Sequence, residues 1–339
     1  MTEQPIKWFS RALNEIRNAD MRAGTGENWM GLFNSLQQKG RVKNTELDYL
    51  GLNRLDPSQR YTKDSFDEME GWLPTVNRVI AGQDFPENPR PGRPTKVLYE
   101  NYPSYRTPYG RNYREHVLYS PEADRDDGFD YNHFGNHGPE GQQLGWLRMQ
   151  DSGISHGNRH GVIYPFTILD EVQSNRTEDS PFNKDWQNLL FRAGLWDAAD
   201  RDNSGLAAVT SAEQKRRWGR TGTSTDKLYD TLFPKFAKNE LTRLGGDPGS
   251  LTVHPSWDPA LGTDPVRSAQ VRLRRLQAAQ NQERNPHPDH PTLNVMPLDN
   301  RLKDLILTQG LPLFQKGGSI KTAQISQNMQ NLRTGIRPR

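Results

Sequence analysis

The stretch Val162-Ile163-Tyr164-Pro165-Phe166-Thr167-Ile168-Leu169-Asp170-Glu171-Val172-Gln173-Ser174-Asn175 decides the fold. Its first eight residues are β-branched, aromatic or leucine apart from one proline, which is the make-up of a buried strand. The end turns polar. On a strand, residues two apart share a face, so Glu171 and Gln173 point the same way at the close of an apolar run.

Working outward, Val97-Leu98-Tyr99, Glu115-His116-Val117-Leu118-Tyr119 and Gly145-Trp146-Leu147-Arg148-Met149 are further strand-like runs upstream. Downstream, Trp186, Leu189, Leu190, Ala193 and Trp196 recur at helical spacing. A short apolar run, Leu206 to Thr210, follows, and then helices over roughly 211–220 and 225–244. Strands followed by a helix, a strand and more helices predict an α+β domain over 96–244, with a mixed sheet flanked by helices.

The N-terminal 1–82 reads as a small helical unit. Trp8, Leu13 and Ile16, then Trp29, Leu32, Phe33 and Leu36, recur every three or four residues. Lys43 to Leu52 reads as a short helix ending at Gly51, and Thr62 as the cap of a helix running through Trp72 and Leu73. Residues 83–95, with Pro86, Pro89, Pro91 and Pro94, read as a linker. Residues 245–314 form a loop-rich segment that returns to the domain, carrying a basic helix from Pro265 to Gln282 and another helix from Met296 to Gly310. From Gln315 to Arg339 the chain has five Lys or Arg and no acid, which predicts an extended basic arm ordered only against a partner.

Composition removes several functions. With no cysteine among 339 residues, disulfides, thiolate nucleophiles, iron–sulfur clusters and cysteine zinc sites are excluded. No run of about 18 apolar residues is present and the charged N-terminal stretch has no signal-peptide core, so neither a membrane span nor a signal peptide is expected. Basic and acidic residues number 44 and 41, so the charge of +3 is not the footprint of a nucleic-acid-binding surface over the whole chain. The mean hydropathy of −0.93 instead reflects the polar linkers and arm.

The order Tyr113–Tyr119, His133-Phe134-Gly135, Gly145–Gln150, Val162–Asn175 and Ser180–Arg192 resembles a domain found in very large polyvalent proteins of phages and conjugative elements. That family shows a strand ending Glu-Ile-Gln-Ser-Asp, here Glu171 to Asn175, and a Pro-Phe before a Trp-led helix, here Pro181, Phe182 and Trp186. Its Gly-Glu-Gln-Gln helix is similar to Ala212 to Lys215, its Tyr-Asp-lysine helix to Leu228-Tyr229-Asp230 with Pro234-Lys235, and its closing Gly-Pro-Leu-Phe to Gly310–Phe314. The Glu46-Leu47 to Gly51-Leu52 piece resembles the helical segment that usually precedes the domain. The chain departs from the pattern at Asn175, Phe191 and Ala212. The resemblance spans about 29–315 and implies a phage or mobile-element origin, and so a location in a virion or in host cytoplasm.

Two functions follow. In one, the chain is a virion-associated structural or accessory protein that docks onto other virion proteins, or onto copies of itself, through its arms. The docking candidates are Arg267, Arg272, Arg274, Arg275, Lys316, Lys321, Arg333 and Arg337, and contact of these residues with nucleic-acid phosphates is the weaker reading of the same surface. In the other, it is an effector enzyme with a polar pocket formed by Glu171, Gln173, Ser174 and Gln214, with Tyr113 and Arg114 nearby. A Glu-x-Gln pair also occurs in ADP-ribosyltransferase-like sites, where Arg148 would stand as the early arginine, though no Ser-rich strand lies between Arg148 and Glu171. The competing structural reading has Glu171 and Gln173 bonding backbone amides to fix the following loop. The pairs His133/His137 and His156/His160 have zinc-ligand spacing but sit among Gly, Asn and Asp without an HExxH glutamate, so neither metal nor cofactor is expected.

Overall fold

The computed structural model describes residues 6–80, 111–120, 142–155, 163–174, 186–218, 222–254 and 293–314. These build an α+β body around a seven-stranded mixed sheet. Its strands, in spatial order, are β4 (Thr75–Ile80), β5 (Arg111–Ser120), β6 (Gln142–Ser155), β7 (Ile163–Gln173), β8 (Gly205–Val209), β10 (Leu293–Pro297) and β9 (Thr252–His254). All neighbours are antiparallel except β7 and β8, which run parallel. That pair is joined through α4 (Trp186–Asp200), the crossover that a parallel pair requires.

Central strand β8 is buried at every position, and Ile168 and Leu169 of β7 are fully buried. Helix α4 is buried from Leu189 through Ala199, polar Arg192 and Asp197 included, as a helix clamped between layers must be. It lies so close to the sheet that a Cβ on Gly194 would stand 2.8 Å from Leu169 Cδ2. Helix α5 (Ser211–Trp218) follows β8, and α6 (Thr223–Lys227) runs through a π-turn, Leu228–Leu232, into α7 (Phe233–Leu244). Phe191 of α4 meets Phe233 and Phe236 at ring separations of 5.2 and 5.3 Å, locking α7 onto α4. Helix α8 (Asn300–Gln309) packs against α4 as well.

The N-terminal segment holds α1 (Arg11–Asn18), α2 (Gly26–Gln38) and α3 (Asn44–Tyr49). Ser10 caps α1, accepting from the Leu13 amide at 3.1 Å. Trp29 is fully buried and meets Phe66 edge-on at 5.1 Å. The segment is not purely helical. β2 (Ala23–Thr25) pairs with β3 (Arg60–Thr62), and the turn after Thr62 is a 3₁₀ helix, Lys63–Trp72, rather than an α-helix. Thr75–Ile80, assigned to the helical unit from sequence, is instead edge strand β4. Its Thr, two Val and Ile suit a pleated ladder better than a helix.

The segment is tied to the body at its start. β1 (Trp8–Phe9) runs parallel to β11 (Leu311–Pro312), and one hydrophobic core continues from Trp8 through Phe314. Gly310 makes this possible, with φ +77° and Lys7 O only 2.4 Å from where a Cβ would be.

The expected helix from Met296 to Gly310 is shorter, because Val295 and Met296 belong to β10 and Asp299 caps α8 through the Leu302 amide at 2.7 Å. The linker 83–95, the strand at Val97–Tyr99, the basic helix 265–282 with its four arginines, and the arm 315–339 with Lys316, Lys321, Arg333 and Arg337 lie outside the described residues. Among the described residues no helix is long and apolar enough to cross a membrane.

Candidate functional site

Register sets the site. Glu115 of β5 stands opposite Arg148 of β6, and Arg148 stands opposite Glu171 of β7, giving a Glu–Arg–Glu row across three adjacent strands. Directly opposed charges of opposite sign stabilise such a row. Arg148 donates from Nε to Glu115 Oε1 at 3.2 Å and from Nη1 to Glu171 Oε2. Tyr113, two residues before Glu115 and on the same face, donates its hydroxyl to Glu115 Oε1 at 2.6 Å. Gln173, two residues beyond Glu171, donates its amide to Glu171 Oε1.

The row is graded in exposure. The Glu115 side chain is 1% exposed, Arg148 3% and Glu171 11%, while Gln173 and Ser174 are half-buried. Tyr113, Glu115, Arg148 and Glu171 are all buried, Glu171 the least so, and half-buried Gln173 and Ser174 lie just beyond it. Burial pushes the Tyr113 hydroxyl far above its ordinary value of 10, and the neighbouring Glu115 charge adds to the shift, so Tyr113 is a permanent donor. Arg148 is held on both sides by carboxylates, which fixes the orientation of Glu171 from within.

The strands are irregular at this point. Arg148 pairs with Glu171 but Met149 pairs with Leu169, so Asp170 is an extra residue, a β-bulge of the kind that re-aims side chains at sites. Gln214 of α5 holds the bulge by donating to the Asp170 carbonyl at 2.6 Å. The Val172 amide donates to the Tyr229 hydroxyl at 3.1 Å, and Ser174 Oγ donates to the Leu144 carbonyl at 2.6 Å. Asp230, next to Tyr229, accepts from the Ser211 amide at 3.0 Å and from its hydroxyl at 2.5 Å, pinning α5 to the π-turn.

Four of the six residues expected at the pocket, Glu171, Gln173, Ser174 and Gln214, thus gather near the bulged end of β7, and a fifth, Tyr113, joins them through the Glu115–Arg148 row. Gln214 bonds the carbonyl of the bulge residue Asp170, and Ser174 bonds the Leu144 carbonyl at the end of β7. Glu171 accepts from the side chains of Arg148 and Gln173. Arg114 does not belong. Consecutive strand residues point to opposite faces, and Arg114 turns under α4, where it binds both carboxylate oxygens of Asp197 and lies 3.0 Å from Asp151 Oδ1. Burial would raise the Asp197 pKa, but the Arg114 guanidinium overrides it and holds the carboxyl below its ordinary value. Arg201 and Asn203 complete that network on Asp151, and Asn203 also donates to Thr167 at 2.9 Å. It clamps the helix to the sheet.

Glu115 is the site residue that sequence reasoning missed. Its signal was the spacing Tyr113-x-Glu115, which puts both side chains on one face, as in Glu171-x-Gln173. Arg148 does lie beside Glu171, but both of its neighbours in the row are carboxylates, which leaves it unlike a phosphate-binding arginine. Among the described residues no group of three or more His, Asp or Glu is arranged to hold a metal ion. Comparison of the chain with protein-family models, with curated proteins and with solved structures finds no match.

Proposed function

We propose that the chain is an accessory protein of phage type whose folded body works through a polar ligand site at the bulged end of β7. One observation carries this reading: Glu171 ends the buried Tyr113–Glu115–Arg148 chain next to half-buried Gln173 and Ser174, so a carboxylate is held by fixed partners just below the surface. A site built in this way supports its reactive group from behind with fixed partners. A carboxylate is an acceptor only, so the matching ligand presents donors: sugar hydroxyls, or a cationic centre beside them. A ribosyl group meets both requirements, since positive charge develops on its ring when the glycosidic bond breaks. The reading is therefore nucleotide- or ADP-ribosyl-related, with Glu171 facing the ribose and Gln173 orienting it. Arg148 has no role in binding phosphate here.

The test is ligand binding, followed by saturation-transfer NMR, with NAD and a panel of ribonucleosides and their 2′-deoxy forms. Binding of a ribosyl ligand by the full chain, lost in Glu171→Gln with the circular dichroism spectrum unchanged, is the expected result. Absence of binding across the panel, or equal binding by Glu171→Gln, overturns it.

A second reading, a virion-associated protein docking through its arms, is favoured by the acid-free basic segment from Gln315 to Arg339. Mass spectrometry of purified particles tests it, and absence of the chain from them rejects it.

A further inference from the structure

A second charged cluster lies where α1, α4 and α7 meet, on the α4 side of the sheet and away from Glu171. Glu240 of α7 is shared by two arginines. Arg192 of α4 donates from Nε and Nη2 to its Oε1 at 2.9 and 2.6 Å, and Arg243 donates from Nε to its Oε2 at 2.5 Å. Arg11, the first residue of α1, lies within electrostatic reach of Arg192, Arg243, Glu240 and Glu46. Three guanidiniums thus face two carboxylates. Glu46 already accepts from Ser10 Oγ at 2.8 Å, from the Ala12 amide at 3.3 Å and from the Arg11 backbone amide.

Arg243 is the anomaly. It is 9% exposed, and both of its terminal nitrogens, Nη1 and Nη2, are buried without a hydrogen-bond acceptor. A buried charged donor left unsatisfied costs more than a neutral one, so such a fork is retained where something accepts from it. Arg192 is 1% exposed and supports Glu240 through its other carboxylate oxygen. Arg11 is half-buried, the most exposed of the three arginines.

We propose that this cluster is a phosphate-binding site, in which the free edge of Arg243 and the guanidinium of Arg11 hold the oxygens of a phosphate group. A planar fork with two N–H-bearing nitrogens on one edge matches two oxygens of a tetrahedral oxyanion, and a second guanidinium takes a third. The excess positive charge of the cluster selects an anion. The lowering of the Arg11 pKa, by burial first and by Arg243 and Arg192 as like charges, is the strain that an added anion relieves. The ligand bridges α1 to α4 and α7, and so ties the N-terminal segment to the body.

The experiment is titration of the full chain with inorganic phosphate and, separately, with a phosphomonoester that carries no ribosyl group, glycerol 3-phosphate, at constant ionic strength in chloride. Heat of binding and the thermal midpoint are the readouts. Saturable binding that raises the midpoint is expected. It should weaken on the order of tenfold in Arg11→Gln and in Arg243→Gln, the loss of a charge-assisted hydrogen bond. Tighter binding of the ester identifies a phosphorylated metabolite as the ligand, and equal binding identifies free phosphate. If Arg243→Gln does not fold, the half-buried Arg11→Gln decides. No phosphate effect beyond chloride, or the same affinity in Arg11→Gln as in the parent, overturns the proposal. Because Glu171 lies on the other face of the sheet, Glu171→Gln should bind phosphate as the parent does, whichever way the ribosyl test falls.

Discussion

Arg148 and Glu171 pair directly across β6 and β7 at the last register position before the Asp170 bulge, and the bulge lets a single guanidinium serve carboxylates on both flanking strands. The row is thus a buried ion cluster set by topology, whose central cation is shared by carboxylates on the two flanking strands.

Arg148→Met removes the centre and leaves Glu115 and Glu171, buried on the two strands that flank β6, without their shared cation. Breaking a buried pair from one side costs about 3–5 kcal/mol. The urea midpoint should fall accordingly. Adding Glu115→Gln to Arg148→Met should recover a good part of the loss, because it removes the carboxylate stranded deepest. Equal midpoints for the single and double variants would show that the row is not a unit.

Much of this body could be read from residue order. The apolar run before Glu171 announces β7, and the period of Leu189, Leu190, Ala193 and Trp196 announces α4. The site could be read only in part. Glu171 and Gln173 declare themselves by spacing, whereas the opposition of Glu115, Arg148 and Glu171 depends on how three strands align, which no local pattern encodes. Arg114 was open to correction from sequence alone, since strand alternation separates it from Tyr113. β4 was hidden because Trp72 and Leu73 extend an apparently helical pattern up to its edge. The two-residue pairing of β1 with β11 joins Trp8 to Leu311 and leaves no trace in composition.

Glu240 predicts acid sensitivity. Burial would raise its pKa, but Arg192 and Arg243 outweigh burial and hold it at about 2, against an ordinary value of 4.5. A carboxyl depressed in the folded state contributes stability above its unfolded pKa, and that contribution fades as pH falls through the folded value. The shift corresponds to a contribution on the order of 3 kcal/mol. Glu240→Gln should therefore be destabilised at pH 7, and its deficit against the parent should shrink between pH 4.5 and 2. A deficit independent of pH in chemical denaturation across that window would contradict this account.

Glu46 predicts the reverse. Burial raises its pKa, only partly offset by hydrogen bonds from Ser10 and the Ala12 and Arg11 amides. A carboxyl raised in the folded state is most favourable when protonated, so its ionised form costs stability as pH rises above 4.5. Glu46→Gln keeps an acceptor oxygen for Ser10 and Ala12 without the charge. The variant should melt higher than the parent at pH 7, with the gap closing below pH 4.5. A lower melting point at neutral pH would mean that the Arg11–Glu46 attraction outweighs burial.

Gly310 tests whether the N-terminal segment is held by its first strand. A side chain there meets two obstacles, a left-handed φ of +77° and the Lys7 carbonyl 2.4 Å from the Cβ position. The Lys7 carbonyl is also the acceptor for the Leu311 amide at 2.8 Å, so it cannot retreat without opening the β1–β11 pair. Gly310→Ala should cost about 1–3 kcal/mol, the usual scale for a non-glycine residue forced into a strained conformation. The loss should appear first as faster amide exchange at Leu311 and Leu313, whose amides donate to Lys7 and Phe9, and only later in the sheet. Uniform acceleration across the sheet and the N-terminal helices would show instead that the two parts unfold as one, with β1–β11 no weaker than the rest.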